Sequence, residues 1–137
     1  MIMTSSRTGV IVSKVKFTLE PPAGANLVRS YSDTELRIGE QRVQRSCLVT
    51  AERLITDWPP ASFDELAPAH LEAIFGLGPE LVLLGTGPVQ RFASAAVRAE
   101  FARRGVGLEV MQLGAACRTF NVLVQEERRV LAALFLR

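Results

Sequence analysis

The sequence predicts an α/β domain, and two patterns carry that reading. From Leu81 a run of four apolar residues enters Gly85-Thr86-Gly87 and is followed by a helical stretch, a second strand and a second helix, an order that implies parallel strands. Upstream, from Asn26 to Trp58, short β-type runs alternate with turn residues. Ligands of parallel sheets gather beyond the carboxyl ends of the strands, so the loops after Leu84 and after Leu113 are the first places to look for a site.

The 137 residues suit one domain, expected over residues 26–137, with residues 1–25 as a largely flexible extension. Hydrophobic residues at 48% and charged residues at 22% are ordinary for a globular chain and unlike a disordered one. A net charge of +2 is too small to point to nucleic acid, and the preference for arginine over lysine, with Lys14 and Lys16 the only lysines, is read as codon bias. Cys47 and Cys117 are too few for a disulfide framework or a four-ligand zinc site, which fits a reducing compartment, and a cytoplasmic location is expected. The segment around Val10-Ile11-Val12 lacks the continuous apolar run of a signal peptide. The longest apolar run, Val130 to Leu136, falls short of the roughly 20 residues that span a bilayer. Membrane association is therefore expected only through a partner.

Taken in order, Val15 to Leu19 is a short strand candidate inside the extension, which ends at Pro21-Pro22-Ala23-Gly24. Leu27–Tyr31, Glu35–Ile38, Val43–Thr50 and Leu54–Thr56 read as a meander punctuated by Ser32-Asp33, Gly39-Glu40 and Ala51-Glu52, and Asp57-Trp58-Pro59-Pro60 stops it. Ser62 and Glu65 have capping-box spacing. Pro68 sits best in the first turn of a helix over Ala69–Phe75, which Gly76 and Gly78 end. Leu81–Leu84 should be a central strand covered on both faces. A helix is predicted over about Val89–Arg104, with Ala93, Val97 and Phe101 on one stripe and Gly105 closing it, and Val106–Leu113 returns as a strand. From Ala115 to Gln125, Ala116, Cys117, Phe120, Leu123 and Val124 follow helical spacing. Arg118, Asn121 and Gln125 fall on the opposite side as a polar stripe, a candidate surface. Val130 to Leu136 fits helix or strand on periodicity alone.

Several segments together resemble a small domain family. They are Val82-Leu83-Leu84-Gly85-Thr86-Gly87, Gly105 to Met111, Ala115 to Leu123 and Arg128 to Leu134, with Ser30-Tyr31-Ser32, Leu36 to Gly39 and Trp58 upstream. The family includes bacterial and archaeal proteins of unknown function and a mitochondrial assembly factor of respiratory complex I, and the resemblance covers about Lys16 to Leu136. It implies three layers, a central mixed and mostly parallel sheet with flanking helices and a smaller N-terminal β layer, and makes the last segment a strand antiparallel to the rest. One departure is Glu126-Glu127-Arg128, where the family typically has Glu-Gly-Arg. If that turn needs positive φ, Glu127 costs about 1 kcal/mol relative to glycine.

The residues that could carry chemistry are few. His70, the sole histidine, has no serine or cysteine placed beside it by the sequence and reads as a surface or packing residue. Cys117, near a helix N-terminus and next to Arg118, could be a reactive thiolate, but its place in the apolar stripe argues for a buried, inert thiol. Asp33, Glu35, Asp64 and Glu65 lie in turns or at a helix start and form no acid and base pair. Gly85-Thr86-Gly87 lacks the third glycine of a dinucleotide fingerprint, Gln90 standing in its place, and Glu109 falls inside a strand. Glycine amides and two helix N-termini near Val89 and Ala115 could still converge on an anion, or the glycines could serve only tight turning and helix packing.

These readings leave no catalytic residue, metal ligand or cofactor to assign. The resemblance implies a non-catalytic interaction or assembly protein whose partners are other proteins, respiratory-complex subunits among them. The alternative is a small-molecule, nucleotide or anion-binding protein using the Gly85-Thr86-Gly87 loop. The expected working surface is the rim of Gly85, Thr86, Gly87, Gln112, Gly114, Arg118 and Asn121.

Overall fold

Two sheets share one helix between them. The computed structural model describes residues 15–16 and 24–137, so most of the expected extension, residues 1–25, lies outside the described residues. Strands β1 (Val15–Lys16), β2 (Val28–Tyr31), β3 (Leu36–Ile38) and β4 (Gln41–Val43) form an antiparallel sheet in chain order. The larger sheet takes β5 (Cys47–Thr50), β6 (Leu54–Ile55), β7 (Leu81–Gly85), β8 (Gly107–Met111) and β9 (Val130–Leu134), in the order β6-β5-β9-β7-β8. Helices α1 (Glu72–Phe75), α2 (Ala95–Arg104) and α3 (Leu113–Gln125) complete the chain.

The larger sheet is mixed. β9 runs parallel to β7, with Val82 beside Leu131, and β7 runs parallel to β8. β5 runs antiparallel to both β9 and β6. The strand expected over Val130–Leu136 is therefore present, but it is antiparallel only to β5. It also holds the middle of the sheet, with Leu81–Leu84 one place away. All five of its residues are buried. Its small Ala132 and Ala133 let neighbouring elements approach closely on either face.

Side chains alternate between two cores. Leu83, Cys47, Val49, Val130, Ala132 and Leu134 face α3 and the small sheet, where Leu113, Ala116, Cys117, Phe120 and Val124 meet Val28, Leu36 and Ile38. Leu48, Val82, Leu84, Leu131 and Ala133 face the opposite side, with Trp58, Ile74, Val97, Phe101 and Phe135. Phe135 lies 5.3 Å from Trp58 and 5.7 Å edge-on from Phe63, centroid to centroid.

Four expected elements differ in detail. The meander is divided, because Cys47–Thr50 is buried throughout and finds cover for both faces only inside the larger sheet, so the chain crosses between sheets after Val43. The helix expected over Ala69–Phe75 is a 3-10 turn, Pro68–His70, followed by α1. Ser62 makes no capping bond to the 3-10 turn Phe63–Glu65; Glu65 Oε1 instead accepts from the Ala61 amide at 3.0 Å. Finally, α2 begins at Ala95, where Ser94 Oγ accepts from the Val97 amide, and not near Val89. The Thr86 hydroxyl donates to the Val89 carbonyl at 2.7 Å and accepts from the Arg91 amide at 3.1 Å, taking up backbone groups that a helix there would need.

Candidate functional site

Parallel pairing brings two turns together at the carboxyl ends of β7 and β8, the second at Gln112 and not after Leu113 as expected, because β8 ends at Met111 and α3 begins at Leu113. The Thr86 amide donates to the Met111 carbonyl at 2.9 Å, and the Leu113 amide donates to the Gly87 carbonyl at 2.8 Å. The seven rim residues, however, mostly serve the protein itself. A Cβ at Gly85 would sit 3.0 Å from Leu134 and 3.1 Å from Ala116, so its hydrogen lets α3 lie close to the sheet. Gly87 has φ +97, open to glycine and strained for any side chain. Gln112 Oε1 caps α3 by accepting from the Ala115 amide at 3.0 Å. Gly114 lies directly under Tyr31. Thr86 and Asn121 are buried. The exposed member is Arg118, whose Nη1 donates to the Tyr31 hydroxyl at 3.3 Å.

Of the polar stripe on α3, Asn121 is turned into the small sheet. Asn121 Oδ1 accepts from the Val28 amide at 2.8 Å, and its Nδ2 donates to the Val28 carbonyl at 3.0 Å. Asn121 is polar because a strand backbone lies against it, whereas Arg118 and Gln125 stay exposed as the expected surface. With α2 starting at Ala95, only the α3 N-terminus of the two expected lies beside the glycine loop, and the Gln112 side chain occupies it.

Sequence reasoning missed the segment that follows. Its polar groups are tied back to the protein: Thr86 holds the Val89 carbonyl and the Arg91 amide, Gln90 Nε2 donates to the Val110 carbonyl at 3.2 Å, and Arg91 pairs at the surface with Asp64 and lies 5.3 Å over the Phe63 ring. Its apolar side chains turn outward, Val89 being 66% and Phe92 83% exposed. The available signal was Pro88 ahead of a phenylalanine that does not belong to the Ala93, Val97, Phe101 stripe.

A cavity of about 600 Å³ opens at the opposite end of the sheet, before β7 and β9 and after β5. Thr50, Arg53, Gly78, Glu127 and Arg129 are among its lining residues. Glu127 has φ +61 and is the one non-glycine among the described residues with positive φ, so the turn does need the conformation that suits the glycine typical of the family at this place. Beside the cavity Arg128 Nε donates to Glu80 at 2.8 Å, which holds the Glu80 carboxyl below the usual carboxylate range.

Cys47 and Cys117 are buried free thiols. Burial pushes Cys47 up to about 12, and burial, followed by the neighbouring Cys47, pushes Cys117 upward as well, so neither is a thiolate at neutral pH. His70 Nδ1 accepts from the Ala67 amide at 3.0 Å, while its carbonyl accepts from the Trp58 indole at 3.1 Å; it closes a turn. Among the described residues no cluster of three His, Cys, Asp or Glu is placed to hold a metal ion, and no helix is long and apolar enough to cross a membrane.

This arrangement defines a small α/β domain with a parallel three-strand core and an antiparallel sheet laid over α3. The chain belongs to the family described as protein of unknown function (DUF498/DUF598), whose model matches residues 28–135. It is 29% identical over 124 residues, 89% of this chain and 71% of the relative, to NADH dehydrogenase [ubiquinone] 1 alpha subcomplex assembly factor 3 of Danio rerio. The matches to relatives named as this assembly factor span about six to seven tenths of their length. An NMR structure from Xanthomonas campestris is 38% identical with a TM-score of 0.76, covering 89% of this chain and 92% of that one. A crystal structure from Bordetella parapertussis is 30% identical with a TM-score of 0.78, covering 85% of this chain and all of that one.

Proposed function

We propose that this protein is a non-catalytic interaction module that binds another polypeptide during assembly of a larger complex. The observation that carries the reading is the loop displaying Val89 and Phe92, whose backbone and polar side chains are held by Thr86, Gln90 and Arg91. Burying a phenylalanine side chain is worth roughly 2–3 kcal/mol, which this loop forgoes in the free protein. Ordered aromatic residues presented in this way act as anchors in a partner's pocket, because little entropy remains to be lost on docking. The rim around Gly85–Gly87 and Gly114 then serves as the frame that positions the loop, with Arg118 as its outward polar contact.

Relatives named as assembly factors of NADH dehydrogenase support the same reading and make respiratory-complex subunits the first partners to test. A cytoplasmic protein would meet such subunits through their soluble parts. Affinity purification from the native cell, with mass spectrometry, compares the wild type with Phe92→Ser. Respiratory subunits recovered by the wild type and lost by a variant of unchanged melting temperature are the expected result. Equal recovery by both proteins, or no reproducible partner, overturns the reading.

A further inference from the structure

The cavity before β7 and β9 lies at the end of the sheet away from the Val89–Phe92 loop, and nothing in the proposed assembly role uses it. Two arginines and two glutamates line it without forming ion pairs with one another. Among the described residues, Arg53 makes no side-chain hydrogen bond, and Arg129 gives its Nε to the Gly78 carbonyl at 3.3 Å and forms no direct ion pair, its charge acting on the Glu80 carboxylate only at longer range. Glu52 and Glu127 also line the cavity, and neither belongs to an ion pair, whereas Arg128, the third arginine there, is taken by Glu80. Between these groups the walls are apolar, formed by Leu77, Pro79, Val124 and Val130.

Glu127 adds a second observation. Its φ of +61 is a conformation that glycine adopts freely and glutamate does not, so the side chain is retained there against the preference of the backbone. Strain of this kind, kept at the wall of a cavity, points to a use for the side chain. A volume of about 600 Å³ falls in the range of small-ligand sites and exceeds what a single water-filled crevice needs.

We propose that this cavity binds a short apolar peptide or amino acid in its zwitterionic form. Arg53 and Arg129 receive the carboxylate, since guanidinium groups match its two oxygens. Glu127, with Glu52 beside it in the lining, receives the ammonium, and the apolar wall takes the side chains. A ligand carrying both charges satisfies both sets of groups at once; one carrying a single charge leaves the other set solvated and gains less.

The test is an amide-shift NMR titration of the full chain with the dipeptide Leu-Leu, set beside N-acetyl-Leu-Leu, which lacks the ammonium, and Leu-Leu-amide, which lacks the carboxylate. Millimolar Leu-Leu should shift Gly78, Glu127 and Arg129, and each capped form should bind about tenfold or more weakly, a difference of about 1.4 kcal/mol. In Glu127→Gly, which relieves the backbone and keeps the fold, the preference over the acetylated form should vanish while the preference over the amide remains. Arg53→Gln should do the reverse. Absent local shifts, or equal binding of all three peptides by the wild type, overturns the proposal. Phe92→Ser should leave this titration unchanged, so the cavity and the docking loop stand or fall separately.

Discussion

Asn121 imitates a strand neighbour for Val28, accepting from its amide and donating to its carbonyl with one side chain, across 93 residues of sequence. Val28 pairs with Ile38 beside the bond from the Gly39 amide to the Leu27 carbonyl, so its own amide and carbonyl point away from β3, and α3 supplies the partners a ladder would otherwise give.

Asn121→Ala should therefore cost about 3 kcal/mol, since it strands a buried donor and a buried acceptor together. Urea unfolding followed by circular dichroism measures it. A loss below about 1 kcal/mol would mean that water enters and replaces the amide.

Gly114 leads to a second expectation. A Cβ there would stand 2.3 Å from the Tyr31 hydroxyl oxygen and 2.8 Å from the ring carbon that carries it. Gly114→Ala should destabilise by roughly 1–3 kcal/mol through overpacking. Adding Tyr31→Ala should make the alanine at 114 nearly neutral in a double-mutant cycle. Strictly additive costs would place the clash elsewhere.

Replacing Glu127 with glycine removes the strain of φ +61 and should stabilise by up to about 1 kcal/mol, near 3 °C in melting temperature for a chain of this size. A drop of several degrees would show that the glutamate side chain contributes more to the fold than its backbone costs.

The two thiols make a pH prediction. Their pKa values are raised in the folded protein, so the stability they contribute is complete below the unfolded thiol value of about 8.5 and is lost as pH rises toward 12. Each thiol should remove about 1.4 kcal/mol per pH unit across that window. Urea midpoints at pH 8 and pH 10.5 measure the slope, and a Cys47→Ala, Cys117→Ala double variant should lose most of it. At pH 8 a thiol reagent should label neither cysteine until the protein is unfolded.

Local periodicity made much of this fold legible. Leu81–Leu84 and the apolar face of α3 read directly from spacing, while the strain at Glu127 was signalled only by the resemblance, through the glycine the family typically has there. What spacing could not show was which surface each face would meet. Arg118, Asn121 and Gln125 look alike as a solvated stripe, and Arg118 and Gln125 are indeed exposed, but Asn121 is covered once the small sheet lies against it. Val89 and Ala93 have helical spacing, yet the Thr86 hydroxyl captures the intervening backbone and leaves Phe92 in solvent. The middle position of β9 is likewise set by partners distant in sequence, since its five residues are apolar in any register.

That middle position has a kinetic meaning. During synthesis β5 and β7 leave the ribosome well before β9, and until it arrives each lacks the neighbour that separates them. Both are buried in the finished molecule, so for that interval the nascent chain carries two apolar strands with open edges. Pairing of β9 joins them in one step, with Val82 beside Leu131 on one side and Val49 beside Ala132 on the other. The larger sheet cannot close from its N-terminal part outward. Its completion should wait for β9, and a nascent chain stalled before Val130 should be a client for chaperones and not a smaller folded domain.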